Sequence, residues 1–437
     1  MKVVIVGAGF GGLKLARKLN NKAGFEVILI DRFNHHQFQP LFYQVATAGL
    51  DASNISFPLR KVFHNSKNVK IRLAALKEVI PAENTIITDT EEIHYDVLVL
   101  AMGADSNFFN NHRIQENAIP MKSTVEALQL RYRIIQNFEE ALTITDKKEL
   151  QRRMNIVVVG GGPTGVELSG ALAEMKKYVL PKDYPELDFS QMNIYLLEGA
   201  ATTLAAMSEK SASESCEYLT KMGVKVLTNS LVKDYNGREV LLSDGTTIES
   251  SIVIWAAGIK GNVPAGIDQD MIVRGNRIKV DRHNKMEGMN NIYAIGDLAY
   301  MEEPPAYPKG HPQLAAVAIQ QGELLAENLQ RIERKSTAFY EFVYNNKGTM
   351  ATIGRNKAVV DIPKPRLHFK GLMAWFIWMG LHLFLILGVK NRFFVFLNWL
   401  YNYLTYDQNL RLIFRDSHQI HPKEVTKEKK LSKETAT

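Results

Sequence analysis

Two glycine runs, far apart in the chain, constrain the fold most. The first is Gly7-Ala8-Gly9-Phe10-Gly11-Gly12, directly after the apolar run Lys2–Val6. The second is Gly160-Gly161-Gly162-Pro163-Thr164-Gly165, directly after Asn155–Val159. Each apolar run reads as a parallel strand buried on both faces. In each GxGxxG, the first glycine (Gly7, Gly160) permits a tight turn, and the second (Gly9, Gly162) lets backbone approach a pyrophosphate. The third (Gly12, Gly165) lets the next helix pack on the strand. Helices are expected over 13–20 and 166–179, their N-termini aimed at phosphate. Pro163 suits a first helical turn. Second strands follow at 25–30, ending in Asp31, and at 192–197, ending in Glu198. Asp31 lies 19 residues after Gly12, the spacing of an acid that takes ribose hydroxyls. Glu198 lies 33 after Gly165, and an inserted loop over 181–185 accounts for the excess. A glycine run alone is an ordinary turn; strand, glycines, helix, strand and acid in register specify a dinucleotide site. An acid at Glu198 repels a 2′-phosphate and so favours NADH over NADPH.

Between these units the chain repeats a smaller pattern. The strand at 95–100 runs into Ala101-Met102-Gly103, and that at 251–255 into Ala256-Ala257-Gly258. Such small-residue turns let the chain cross between lobes close beside a cofactor. A third strand, 291–295, delivers Gly296 and Asp297 ahead of a helix starting near Gln313.

Length and composition bound the rest. At roughly 150 residues per domain, 437 residues suggest about three domains. Hydrophobic residues at 46% and charged residues at 23% exclude disorder over the whole chain and a polytopic membrane protein. A net charge of +7 fits an anionic surface and is too weak to argue for nucleic acid. The single cysteine, Cys216, excludes an intrachain disulfide, a CxxC couple and a Cys-rich metal site; no metal centre is expected. Redox chemistry then requires an organic cofactor. Met1-Lys2 runs straight into a strand, leaving no room for a signal segment, so a cytoplasmic-side location is expected.

The order GxGxxG, Ala-Met-Gly, GxGxxG, Ala-Ala-Gly, Gly-Asp resembles the flavoproteins with two dinucleotide-binding domains, over roughly residues 1 to 330. Within them, the stretch His35-His36-Gln37-Phe38-Gln39-Pro40-Leu41-Phe42-Tyr43-Gln44-Val45-Ala46-Thr47 and the stretch Val317-Ala318-Ile319-Gln320-Gln321-Gly322 resemble motifs of the single-subunit type II NADH dehydrogenases. The resemblance implies an α/β fold: two Rossmann-like domains plus a C-terminal helical membrane-binding segment. It implies FAD at Gly7, Gly9, Gly12, Asp31, Arg32, Gln44, Gly103, Gly296 and Asp297, with Asp297 holding the ribityl chain. It implies NADH, as substrate, at Gly160, Gly162, Gly165, Glu198 and Gly258. The FAD domain would comprise 1–120 and 285–345, with the NADH domain, 121–284, inserted, and a C-terminal region over 346–415. Hydride would pass from NADH to FAD and two electrons to a quinone, without proton pumping. Catalytic roles fall to Glu167 and Gln320. Glu167 is placed to relay protons, though an acid two residues into a helix is also where the helix dipole favours one. Ala316, Gln320 and Lys357 match the quinone site. Ala316 stands where the motif has a glutamine, leaving Gln320 as polar anchor and quinone preference open. Lys357 reads equally as a solvated surface lysine. A homodimer is a family expectation.

Residues 371–389 carry no formal charge, long enough for a single span. Helical spacing favours a helix lying in the membrane interface, with Trp375, Trp378 and His382 on one face and Ile377, Leu381 and Phe384 opposite. Phe393, Phe396, Leu397, Leu400 and Leu404 share one face of a following helix, with Asn398 and Asn402 opposite. Lys390, Asn391 and Arg392 form a polar turn placed for anionic head groups. The pair over 371–404 reads as a monotopic hairpin on the cytoplasmic face of the inner membrane; a buried helix pair or dimer contact is the bland alternative. The Lys/Glu-rich stretch 421–437 is expected to be disordered. Two other functions fit the glycine pattern: a soluble NADH-dependent reductase of ferredoxin or rubredoxin, and a non-enzymatic NADH-responsive flavoprotein. The apolar C-terminus argues against the first. Disulfide reductases and sulfide:quinone oxidoreductase need paired cysteines, which this chain lacks.

Overall fold

The computed structural model describes residues 1–408 and 410–413. Two five-stranded sheets form its two lobes. The first has the order Ile292–Ala294, Val97–Leu100, Lys2–Val6, Glu26–Asp31, Val69–Leu73. The second has Ile119–Pro120, Ile252–Trp255, Asn155–Val159, Asn193–Leu197, Val224–Leu227. Every neighbour pair in both sheets is parallel. The glycine-bearing strand is central in each, and Val3, Val4, Ile5, Ile156, Val157 and Val158 are fully buried. Helices Phe10–Leu19 and Pro163–Tyr178 follow the two glycine loops. The residues in excess before Glu198 include a short helical turn, Leu180–Asp183, rather than an irregular loop alone.

The two crossings between lobes pair with each other. Ala104–Ser106, after Gly103, runs antiparallel to Ile259–Gly261, after Gly258. The lobe limits fall earlier than the chain reading placed them. Ile114 and Ala118 pack with Val157, Val159 and Trp255 in the second core. Ile267, Ile278 and Val280 pack with Ile28, Ile30 and Leu98 in the first. Residues 263–284 therefore return to the first lobe, because their apolar side chains complete its core.

The C-terminal region adds a three-stranded antiparallel sheet, Thr349–Gly354, Lys357–Ile362 and Leu367–Lys370, then helices Gly371–Leu385 and Val389–Thr405. It is seated on the second lobe. A Cβ on Gly170 would lie 1.6 Å from the Ile353 carbonyl oxygen, so only glycine lets the Pro163–Tyr178 helix meet this strand. Asp361 accepts from Ser208 and Ser211, at the start of helix Glu209–Lys221. His368 sits 2.9 Å from both Asp361 and Glu214. Desolvation pulls the His368 pKa down, but its hydrogen bonds to the two carboxylates outweigh this and raise it.

Two expectations for the apolar pair are corrected. Among the described residues no helix is long and apolar enough to cross a membrane. The first helix has 15 residues, about 22 Å, and ends where Ile386 turns extended. The aromatic face of that helix also turns inward. Trp378 is 1% exposed, stacks on His382 at 4.1 Å, and lies 5.7 Å from Trp399. Their polar ring nitrogens belong inside: His382 Nδ1 lies 2.8 Å from its own helix's Trp378 oxygen. Met373, Phe376, Leu381 and Phe384 point outward instead, Phe384 at 70% exposure. The second helix follows the spacing: Phe393, Phe396, Leu397, Leu400 and Leu404 are exposed, while Val395 and Trp399 are buried. Arg392 is not free for head groups; it donates to the carbonyls of Phe384 and Ile386 and caps the first helix. Lys390 remains exposed. The stretch 421–437 and residues 414–415 lie outside the described residues.

Candidate functional site

The first glycine loop opens onto a cleft of about 1270 Å³. Gly7, Gly9, Asp31, Arg32, Gly103 and Asp297 line it. Each glycine has its own reason. Gly7 has φ +105°, and a Cβ there would lie 2.3 Å from the Ala101 carbonyl oxygen. A Cβ on Gly12 would lie 1.9 Å from the Gly7 oxygen, so the helix could not approach. A Cβ on Gly9 would meet nothing within 4 Å: it faces the open space where a phosphate belongs. Asp31 accepts from the backbone N–H of Ala8 at 2.6 Å and of Phe33 at 2.7 Å. Burial raises its pKa against those two bonds. Burial also raises that of Asp297, against the attraction of Lys122 and Arg277. An acid held in a cleft at a desolvation cost suits a hydroxyl donor there. Arg32 pairs with Asp105 at 3.3 Å at the rim. Gly296 has φ +71°, and its N–H donates to Gln321 Oε1 at 2.7 Å.

The second loop repeats the geometry. Gly160 has φ +109°, a Cβ on Gly165 would lie 1.9 Å from the Gly160 oxygen, and one on Gly162 would meet open space. Glu198 accepts from the N–H of Gly161 at 2.5 Å and of Ala200 at 2.7 Å. It thus orders the loop from the end of the second strand. Gly258, with φ +147°, accepts from Asn107 N–H at 3.0 Å. Both cradles fit a dinucleotide by the same test: space where the backbone must approach phosphate, and contact where the helix must approach the strand.

A third cleft, about 880 Å³, lies between the Pro163–Tyr178 helix, segment Phe42–Ala46 and the C-terminal helices. Glu167, Glu174, Tyr43, Gln44, Arg355, Trp378 and Trp399 line it. Glu167 is 8% exposed and accepts from Thr352 N–H at 3.3 Å. Burial pushes its pKa up to about 8, partly offset by Thr352 and by the Trp378 indole beside it. That indole N–H is buried and has no hydrogen bond of ordinary geometry. It is a donor kept for a carboxylate or for the oxygen of a bound molecule. Gln44 donates to the Tyr43 hydroxyl at 2.8 Å and accepts from Trp399 at 2.7 Å. Burial raises the Tyr43 pKa well above its ordinary value, and Glu167 adds to this. The HHQFQPLFYQVAT stretch therefore bridges two sites. His36 Nδ1 reaches the Ala8 oxygen in the first cradle at 3.0 Å, and Gln44 reaches the third cleft.

Gln320 does not reach this cleft. Its amide bonds both the N–H and the carbonyl of Asn345, each at 3.0 Å, which takes up both its polar atoms. The adjacent Gln321, 1% exposed, is the inward one. Ala316 is exposed on the same helix, Ala315–Glu333. Lys357 extends its Nζ to the Arg355 carbonyl at 3.4 Å. It does not line the cleft, but its charge lowers the pKa of Glu174. Sequence reading missed Tyr43, Glu174, Arg355, Trp378 and Trp399 as members of this cleft. The spacing of Glu174, seven residues after Glu167, was the one available signal.

Residues 1–322 match the Pyridine nucleotide-disulphide oxidoreductase family, and 346–406 match the NDH2 C-terminal domain. The chain is 34% identical to the type II NADH:quinone oxidoreductase Ndh of Mycobacterium tuberculosis, over 92% of this chain and 88% of that one. It is 28% identical to the type II NADH:quinone oxidoreductase of Haemophilus influenzae, over 87% of this chain and 92% of that one. Its fold is similar to that of NDH2 from Plasmodium falciparum, solved in complex with NADH, with a TM-score of 0.83, 21% identity, and coverage of 95% and 99%. The sulfide:quinone oxidoreductase of Aquifex aeolicus shares the fold at a TM-score of 0.69 and 18% identity, over 90% of this chain and 92% of that one. On the two family matches and these relatives, the chain belongs to the type II NADH:quinone oxidoreductases, within the Pyridine nucleotide-disulphide oxidoreductase family.

Proposed function

We propose that this protein oxidises NADH and passes two electrons through FAD to a membrane quinone, without pumping protons. The observation that carries this reading is the third cleft. It joins a buried carboxyl and the buried indole N–H of Trp378 beside it to a helix pair whose outward faces are apolar. FAD in the first cradle supplies a two-electron relay that side chains here cannot, since Cys216 has no cysteine to pair with. Gly7, Gly9, Gly12, Asp31, Arg32, Gly103, Gly296 and Asp297 are assigned to that cofactor; Gln44, expected from the sequence at FAD, lines the third cleft instead. Gly160, Gly162, Gly165, Glu198 and Gly258 are assigned to NADH. At neutral pH Glu167, titrating near 8, holds a proton it can give to a reduced quinone oxygen. Trp378 and Tyr43 shape the same cleft, and Lys357 acts on it through the charge it presents to Glu174.

Quinones dissolve in lipid, so the cleft that takes them belongs at a bilayer. The exposed row Phe393, Phe396, Leu397, Leu400 and Leu404, with Met373, Phe376 and Phe384, supports monotopic attachment through 371–404. Lys390 and the net charge of +7 suit anionic head groups. NADH does not cross bilayers, which supports a place on the face where NADH is made, the cytoplasmic one. A homodimer completes the reading, tested by light scattering in detergent.

The functional test is NADH oxidation by the detergent-purified flavoprotein, with a soluble quinone, with ferredoxin, and with NADPH in place of NADH. Fast quinone reduction from NADH is expected. Rapid ferredoxin reduction beside slow quinone reduction would overturn the reading, and flavin reduction without turnover on any acceptor would make it a sensor. Ending the chain before Gly371 should release it from membranes; a truncated protein that still sediments with them contradicts attachment through 371–404.

A further inference from the structure

Glu167 and Glu174 lie seven residues apart on one helix, which returns to within about 20° of the same face and advances about 10 Å. Both line the third cleft. Its deep end holds Glu167, 8% exposed, and Trp378, 1% exposed. Its other end is half-buried and holds Tyr178, Arg355, Tyr403 and Tyr406. Glu174 stands toward that end. One of its oxygens accepts from Arg355 N–H at 2.6 Å. A Cβ on Gly354 would lie 2.9 Å from that oxygen, so glycine there gives the carboxyl its place. The Arg355 guanidinium is sandwiched between the rings of Tyr403 at 3.9 Å and Tyr406 at 4.0 Å. Its Nη1 is buried without a partner. An acid, a clamped cation and an unpaired donor thus meet where the cleft approaches solvent.

We propose that Glu174 is the second proton-holding group of this cleft, a relay that recharges Glu167 from the solvent side. The inference rests on the quinone reading above. Reducing a quinone to a quinol takes two electrons, which originate in NADH, and two protons. Glu167 gives one proton to a quinone oxygen and becomes a carboxylate. Glu174 gives its proton inward to Glu167, through water in the cleft, and becomes a carboxylate in turn. It regains a proton from bulk water at the Arg355–Tyr406 end. Repeating the sequence supplies the second proton. Glu174 acts through Glu167 and is not itself a catalytic residue. The groups that face it set its proton affinity: burial raises it, while Arg355 and Lys357 lower it. Tyr43 and Tyr406 feel its charge in return.

The test compares Glu174→Gln with wild type as FAD-loaded full-length protein, using two acceptors. A soluble quinone needs protons; ferricyanide takes electrons alone. The relay predicts a loss of roughly 100-fold in quinone kcat, at the low end for a positioned proton-transfer group, with ferricyanide turnover unchanged. Glu174→Asp should recover much of the loss. Unchanged quinone turnover in Glu174→Gln, or equal loss with both acceptors, would overturn the relay. If wild type itself reduces no quinone, the functional reading fails and the relay with it. Wild-type turnover beside an unaffected variant sinks the relay alone. Should Glu174→Gln fail to load FAD, Glu174→Ala decides: recovery of its quinone turnover on adding acetate, with ferricyanide turnover unmoved, supports the relay, and no recovery overturns it.

Discussion

The two lobes begin alike and end in different chemistry. Each sends a central strand into GxGxxG and then into a helix, with matching positive φ at Gly7 and Gly160. The fifth residue of each helix, two beyond the last glycine, is Lys14 in the first lobe and Glu167 in the second. Lys14 sits at the surface and pairs with Glu323 at 3.1 Å, beside Lys18 at 2.8 Å. Glu167 is buried. The difference is what each helix packs on. The first lies on helix Ala315–Glu333, close enough that a Cβ on Gly322 would be 2.5 Å from the Gly11 oxygen. The second lies on the strand Thr349–Gly354 of the C-terminal region, which turns its acidic face into a cleft. A repeated nucleotide-binding unit thus buries an acid in a cleft through its neighbour, not through its own motif, and the proposed proton-handling role rests on that burial.

The largest effect should come from breaking the shared part. Gly12→Ala places a Cβ against the Gly7 oxygen and should abolish FAD loading, read by the flavin spectrum of the purified protein. Gly165→Ala makes the same clash in the second lobe. It should leave FAD bound and raise the KM for NADH by at least about tenfold, roughly 1.4 kcal/mol. Equal flavin loss in both variants would show that the lobes do not divide the two nucleotides.

The divergent position comes next. Glu167→Gln should lower quinone turnover by about 100-fold and spare ferricyanide turnover. Lys14→Met, at the matching position of the first lobe, should change neither by more than about twofold, as expected for a surface ion pair. At the two acids, Glu198→Gln should raise NADPH use relative to NADH by about tenfold, as a repulsion of order 1.4 kcal/mol is removed. Unaltered discrimination would mean that Glu198 serves only the backbone of Gly161 and Ala200.

The smallest effect concerns the clamp that seats the C-terminal sheet on the second lobe. His368 has a raised folded-state pKa. Its contribution is therefore fully present below about 6.5, the unfolded value, and is lost as pH rises through the folded one. His368→Ala should lower stability by about 1 kcal/mol at pH 6 and by less at pH 9, measured by urea unfolding. A deficit that grows with pH would contradict the charged clamp.

Much of this arrangement was legible before any coordinates. Glycine conformations, buried strands and terminal acids are local, so both cradles could be read residue by residue. The third cleft was not, because its wall brings Tyr43, Glu167, Arg355, Trp378 and Trp399 together from five separated segments. Gln320 was misplaced for a related reason. Neighbouring residues on a helix point about 100° apart, and only packing decides that Gln321 faces Gly296 while Gln320 turns to Asn345. The inward turn of Trp378 and His382 likewise followed from the cavity they fill, since either face of that helix is apolar enough to bury.

The central claim is that the second lobe's buried carboxyl supplies protons to a quinone. Turnover from pH 5.5 to 9.5 with a soluble quinone and with ferricyanide tests it most directly. The Glu167 pKa, raised to about 8 by burial, leaves the carboxyl protonated below that pH and charged above it. Quinone turnover should fall as pH rises through about 8 while ferricyanide turnover stays flat, and Glu167→Gln should remove that fall. Parallel profiles for the two acceptors, or a quinone profile unchanged in Glu167→Gln, would contradict the account.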